Sequence, residues 1–166
     1  DLFGQSIRYC GGYKSFFLWD GRRFRKDEAN EIQQFAMKTV RVIDQIARNV
    51  QDETLKSALQ KHARKSGSFS SLRGMVSLLQ SFPEIVVPPD AFNRDIHLLN
   101  VLNGTLDLRT GELRPHDPKD LITKIAPVHY DPSATCSRFL AFTEQVFKDP
   151  DLAAFVQEVF GTCLTG

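Results

Sequence analysis

Apolar side chains recur along this chain in two rhythms, and each predicts its own kind of element. Residues 6–25 read as strands. Ser15-Phe16-Phe17-Leu18-Trp19 is aromatic and apolar, Asp20-Gly21 suits a tight hairpin turn because glycine accepts positive φ, and Arg22-Arg23-Phe24-Arg25 returns. A period of two places Arg23 and Arg25 on one face and Phe24 on the other. A helical period then takes over. Across 28–50, Ile32, Phe35, Ala36, Val40, Ile43, Ala47 and Val50 recur in steps of three and four and form one stripe, with Asp27 as the expected N-cap. Lys38, Arg41, Asp44, Gln45 and Arg48 fall on or near the opposite side. Asp52 is expected to cap a second helix carrying Leu55, Ala58, Leu59, a partly buried His62 and Ala63, ended by Gly67. A third carries Leu72, Met75, Val76 and Leu79 and stops before Pro83. Three consecutive amphipathic helices predict a small bundle.

The pattern changes after Ser81. Pro83, Pro88 and Pro89 exclude a helix interior. Residues 98–102 predict a strand, Asn103-Gly104 is the strongest hairpin signal in the chain, and Thr105-Leu106-Asp107-Leu108 returns. Thr110-Gly111 turns again into Glu112-Leu113-Arg114, completing a small β-meander. Pro115 and Pro118 bracket a loop, and 121–125 and 128–130 are candidate short strands. Phe139, Phe142, Val146 and Phe147 form a further helical stripe. Asp149-Pro150 then opens a last helix with Leu152, Phe155, Val156, Val159 and Phe160, ended by Gly161. The fold class is therefore α+β: an N-terminal β-hairpin, a helical bundle, a small antiparallel β-meander and a C-terminal helix pair. Two subdomains are expected, 1–82 with the hairpin and three helices and 83–166 with the meander and helix pair, packed as one domain.

Composition narrows the function classes. The 166 residues are 42% hydrophobic, with 13 Phe, which excludes a disordered chain. Lys plus Arg total 21 against 20 Asp plus Glu, so there is no general blanket of basic charge, although a local basic patch remains open. Cys10, Cys136 and Cys163 are odd in number and far apart, and read as free, buried packing thiols of a reducing cytoplasm. No apolar run approaches the ~20 residues of a membrane span, and no signal-peptide pattern is present. A chain that starts at Asp1 and stops at Gly166 is expected to be part of a longer protein.

The known catalytic patterns fail one by one. A P-loop needs G-x-x-x-x-G-K-[ST], whose backbone amides cradle phosphates. In the nearest stretch, Gly11-Gly12-Tyr13-Lys14-Ser15, Tyr13 occupies the place of the close-approach glycine and Arg8 that of the first. Polymerase or primase chemistry needs carboxylates converging on two metals. Asp149-Pro150-Asp151 has the spacing, but a helix cap explains it better. His97, His116, His129 and Cys136 show no paired zinc spacing, and there is no G-x-S-x-G elbow. No catalytic residue and no metal ligand is assigned.

Three stretches carry a resemblance. They are Leu18-Trp19-Asp20-Gly21-Arg22-Arg23-Phe24, the long run from Leu98 to Pro118 containing Asn103-Gly104-Thr105-Leu106-Asp107-Leu108-Arg109-Thr110-Gly111-Glu112-Leu113, and Phe160-Gly161-Thr162-Cys163-Leu164-Thr165-Gly166. In that order they resemble the N-terminal accessory domain that precedes the superfamily III helicase core of phage, plasmid and poxvirus primase–helicases. Phe24 stands where that family often has Trp. The resemblance implies a non-catalytic collar linking primase to helicase and assisting DNA engagement and ring assembly in DNA replication. It also implies a parent that is an ATP-dependent DNA helicase with primase activity. No cofactor is then expected in this chain, and ATP and Mg are expected only in the motor, whose P-loop would follow soon after Gly166. The implied partners are DNA, the adjacent helicase and primase domains and a homo-oligomeric, hexameric ring, with no membrane, in the cytoplasm of a bacterium or an infected host cell.

A collar on DNA needs cationic side chains for the phosphate backbone. Two clusters are candidates. The first is Arg22, Arg23, Arg25 and Lys26, with Tyr13, Trp19 and Phe24 available for stacking. The second is Lys61, Arg64, Lys65 and Arg73, interleaved with Ser66, Ser68 and Ser70, whose hydroxyls also suit phosphate contacts. The plainer alternative is that the charges mark solvated faces and the aromatics are core. Rival functions are a stand-alone origin-recognition module, which would discriminate strongly between DNA sequences, and a cryptic nuclease or primase remnant.

Overall fold

A computed structural model of the chain describes residues 4–165. The elements run β1 (Ile7–Cys10), β2 (Ser15–Trp19), β3 (Phe24–Lys26), α1 (Glu31–Asn49), α2 (Glu53–Ser66), α3 (Phe69–Leu79), β4 (Leu98–Val101), β5 (Gly104–Asp107), β6 (Glu112–Arg114), α4 (Ser137–Val146) and α5 (Pro150–Thr162). The protein is α+β, with two antiparallel three-stranded sheets and five α-helices among the described residues. It divides into two compact units, residues 1–20 with 24–91, and residues 21–23 with 92–166. Gly166, the last residue of the third resembling stretch, lies outside the described residues, as do residues 1–3.

In the first unit, period-two alternation sorts the sheet's two faces. Ile7 pairs with Leu18 and Tyr9 with Phe16. Ile7, Phe16 and Leu18, with Ile32 of α1 and Ile85, form the buried cluster, against which Tyr9, Phe35, Val76 and Leu79 pack. The same sheet carries Trp19 against Phe24 at 5.4 Å between ring centroids, and Arg8 Cζ 5.5 Å from the centre of the Phe24 ring. Phe24 and Cys10 are fully buried. The β2–β3 connection spans residues 20–23 rather than a two-residue turn at Asp20-Gly21, although Gly21 has the expected positive φ of 98°. The glycine-rich stretch 11–15 is the β1–β2 connection, and Gly12 is required there because a Cβ would meet Pro89 Cγ at 2.5 Å.

Capping sets the helix starts. Asp27 is not the N-cap of α1, which is Asn30 at φ 57° without a side-chain cap bond, but its carboxylate still accepts from the amides of Glu31 at 2.7 Å and Ile32 at 3.0 Å, and the helix begins at Glu31. Asp52 Oδ1 accepts from Thr54 and Leu55, and Ser68 Oγ from Ser71. The stripe expected to bury α2 is only partly buried. Ala63 is covered, but Leu55 is 50% exposed and His62 faces solvent. Fourteen residues rich in Lys, Arg, Gln and Ser leave α2 too few apolar positions to close a bundle face.

In the second unit, β4 and β5 pair with Val101 opposite Gly104, so the turn is Leu102-Asn103 and Gly104 begins the return strand. The expected strands at 121–125 and 128–130 do not form. The backbone bonds beside β4 are isolated ones, Ala126 N donating to Asn100 O and Leu102 N, just past β4, donating to Val128 O. Asn103 instead clasps Tyr130 through two hydrogen bonds at 2.9 Å. Buried Asn100 and Thr105 share a 2.6 Å hydrogen bond, and Asn100 Nδ2 donates to Arg22 O, tying residues 21–23 into this unit. Asp149 caps α5 with Pro150 in its first turn, but Gly161 lies inside the helix, which runs to Thr162. Cys136 and Cys163 are exposed, against the expectation of three buried thiols.

Candidate nucleic-acid interface

The hairpin cations do not form one set. Arg22 and Arg23 fall in the second unit, Arg25 and Lys26 in the first. Arg25 lies opposite Leu18 across β2–β3. Its guanidinium grips the Glu31 carboxylate with both nitrogens, at 2.8 and 2.5 Å. That hydrogen-bonded pair raises the Arg25 pKa above its ordinary value and holds Glu31 below the usual carboxylate range. Arg25 thus fastens the hairpin to the first turn of α1. Arg23 donates to Thr123 O at 3.3 Å and so has a structural task as well. Arg22 and Lys26 are exposed. Of the aromatics expected to stack on bases, Phe24 is buried, Trp19 is half-buried and rests on Phe24, and Tyr13 is exposed beside Phe17.

The helical cluster has a different character. Lys61, Arg64 and Lys65 lie on α2 and Arg73 on α3, and all four are exposed. Among the described residues no carboxylate comes within ion-pair range of any of them. Arg64 and Lys65 close the last turn of α2, where the helix dipole favours cations. Arg73 Cζ stands 5.6 Å from the centre of the Phe69 ring, and that ring is 70% exposed. Of the neighbouring hydroxyls, Ser68 caps α3, Ser71 donates to Lys65 O at 3.0 Å, and Ser66 Oγ lies 3.5 Å from His62 Nε2.

Two arginines that sequence reasoning had left on the outer side of α1 join this set. Arg41 and Arg48, seven residues apart and hence on one helix face, line a groove of about 440 Å³ with Gln45, Ala63, Arg64 and Gly67. Their spacing was visible in the sequence, but the antiparallel neighbour that brings Arg64 opposite them was not.

Elsewhere the first unit has a larger apolar cleft of about 690 Å³ lined by Phe35, Met75, Leu78 and Phe82. In the second unit α4 and α5 meet through Phe139 and Phe160, whose ring centroids are 5.9 Å apart. Phe142, Phe155 and Phe160 are each more than half exposed. Among the described residues no three His, Cys, Asp or Glu side chains are placed to hold a metal ion, and no helix is long and apolar enough to cross a membrane. The family model described as D5 N terminal like matches residues 1–148. No curated protein matches the chain.

Proposed function

Since this chain belongs to the D5 N terminal like family, a domain of primase–helicase replication proteins, we propose that it serves its parent as a non-catalytic collar that links the primase to a superfamily III motor, engages DNA and assists assembly of the ring. The observation that carries this reading is the apolar surface of the C-terminal helix pair. Phe142, Val146, Phe155 and Phe160 stand open to solvent on helices that bury only Thr143 and Ala153. Large apolar side chains exposed in this number on two adjoining helices suit an interaction site, and the collar reading assigns that site to the motor. Nucleotide hydrolysis and priming then belong to other domains of the parent, and ATP and Mg²⁺ act there. The DNA-engaging side chains are those of the two basic clusters, Arg22, Arg23, Arg25 and Lys26 and Lys61, Arg64, Lys65 and Arg73. The helical cluster is the stronger of the two, because among the described residues none of its cations is paired with a carboxylate, whereas Arg25 of the hairpin is held by Glu31.

Light scattering and apolar-dye binding, run on this chain and on a longer chain carrying the motor, test the proposal. The chain alone should be monomeric or weakly associating and should bind the dye, and the longer chain should form a ring with the dye site covered. A tight hexamer from the chain alone, or a helix pair still open to dye in the longer protein, would overturn the collar reading.

A further inference from the structure

Arg41 has no structural task that accounts for it. It sits in the middle of α1, away from the C-terminal turn where the helix dipole would favour a cation, and among the described residues it has no carboxylate partner. Yet it faces the same groove as Arg64 and Arg48. The one carboxylate there, Asp44, is taken by Arg48, with bonds of 2.7 Å to Nη2 and 3.1 Å to Nε. Three guanidinium groups against one carboxylate leave the groove with two uncompensated charges, and Lys61 and Lys65, on the same helix within one turn of Arg64, add to its potential. Like charges gathered on adjoining helices are unfavourable unless an anion joins them, and guanidinium forks match phosphate oxygens in shape as well as charge.

A second kind of group lies two residues from the groove lining. Gly67 lines the groove, and Phe69 opens α3 only two residues later, a reach of about 7 Å at most. The Phe69 ring is largely exposed and lies beside the guanidinium of Arg73. An exposed ring next to a cationic track is the arrangement by which proteins hold unpaired bases, since every base has a π-face. A duplex offers the groove its phosphates but no free base for the ring.

We infer that the α1–α2 groove seats the phosphodiester backbone of single-stranded nucleic acid on Arg41, Arg64 and Arg48, with a base stacked on Phe69 at the α3 end. The inference rests on the DNA-engaging part of the proposed function and assigns it to one surface and one strand state. Asp44 acts as a brake in this arrangement, because it holds Arg48 and repels the incoming phosphate.

The test is fluorescence anisotropy of the full chain with a labelled oligothymidylate and with a duplex of the same length, at several salt concentrations. R41E/R64E should weaken single-strand binding by about tenfold or more and make the slope of log K on log salt shallower by about 0.7 for each phosphate contact removed. R41K/R64K, which keeps the charge but not the fork, should restore part of the affinity and the parent's salt slope. F69A should weaken single-strand binding by about tenfold and leave duplex binding unchanged. D44N should tighten binding, which a merely structural Asp44 would not do. K119E/K124E, an equal charge change elsewhere in the chain, should leave binding unaltered. Unchanged circular dichroism shows that each variant folds. If the parent chain does not bind oligothymidylate at low salt, the DNA-engaging reading and this inference both fall. If it binds and R41E/R64E bind equally well with the same salt slope, the groove alone is overturned. If the duplex is preferred and F69A has no effect, the single-strand assignment is overturned.

Discussion

A methyl group at position 104 would stand 2.5 Å from the Arg114 carbonyl oxygen and 2.9 Å from Leu113 Cδ1. The glycine is needed because β6 passes against it. Gly104→Ala must push backbone aside and should cost about 2 kcal/mol or more. Gly74→Ala, inside α3 with nothing within 4 Å of the new Cβ, should instead stabilise by about 0.5 to 1 kcal/mol. Urea denaturation of the two variants separates these outcomes, and equal effects would refute the close-approach argument. Charge acts at this scale too. Arg109, through side-chain and backbone hydrogen bonds, holds the Asp107 carboxyl down to about 2. The unfolded value is about 3.9, so the folded pKa is the lower one. The stability contributed by this pair is present above about pH 4 and is lost as pH falls towards 2. D107N should therefore show a shallower fall in urea midpoint between about pH 5 and about pH 2 than the parent. An equally steep fall would mean that the Asp107–Arg109 pair contributes nothing in acid.

At the scale of elements, helix starts were the most legible feature and turns the least. Asp52 and Asp149 are N-caps as expected and Asp27, three residues before the N-cap Asn30, still holds the first amides of α1, because an acceptor there needs only the next few amides, which are neighbours in sequence. Asp27 holds two amides of α1, and the first of those residues also carries Arg25. Asp27→Ala should thus cost about 1 to 2 kcal/mol and loosen the hairpin along with the helix. Thermal unfolding followed by far-ultraviolet dichroism checks the first effect, and amide exchange at β3 the second. An exchange rate at β3 that does not change would show that hairpin and helix are held independently. Asn103-Gly104 marked the hairpin but not its register: the turn is Leu102-Asn103, Gly104 already belongs to the return strand, and Asn103 is used to clasp Tyr130. That partner lies 27 residues away, beyond the reach of a local rule.

For the molecule as a whole, the exposed apolar side chains of α4 and α5 are the main liability. F142S/F155S removes two of them at exposed positions, outside the Phe139–Phe160 contact, and should alter folding stability by no more than about 0.5 kcal/mol for each residue. Any concentration-dependent rise in mass of the parent chain, measured by light scattering, should disappear in this variant. Persistence of the rise would place the self-association elsewhere. The α+β class, the order of the elements and the family resemblance were all legible from the sequence. Periodicity, caps and turn residues act within a few positions, and those short ranges are what a linear pattern records. The separation of the hairpin cations into two units, the Arg25–Glu31 lock and the convergence of Arg41 and Arg48 on Arg64 were decided by the tertiary structure. Each depends on which helix or strand lies alongside another, and side chains distant in sequence acquire a shared function only once packing has brought them together.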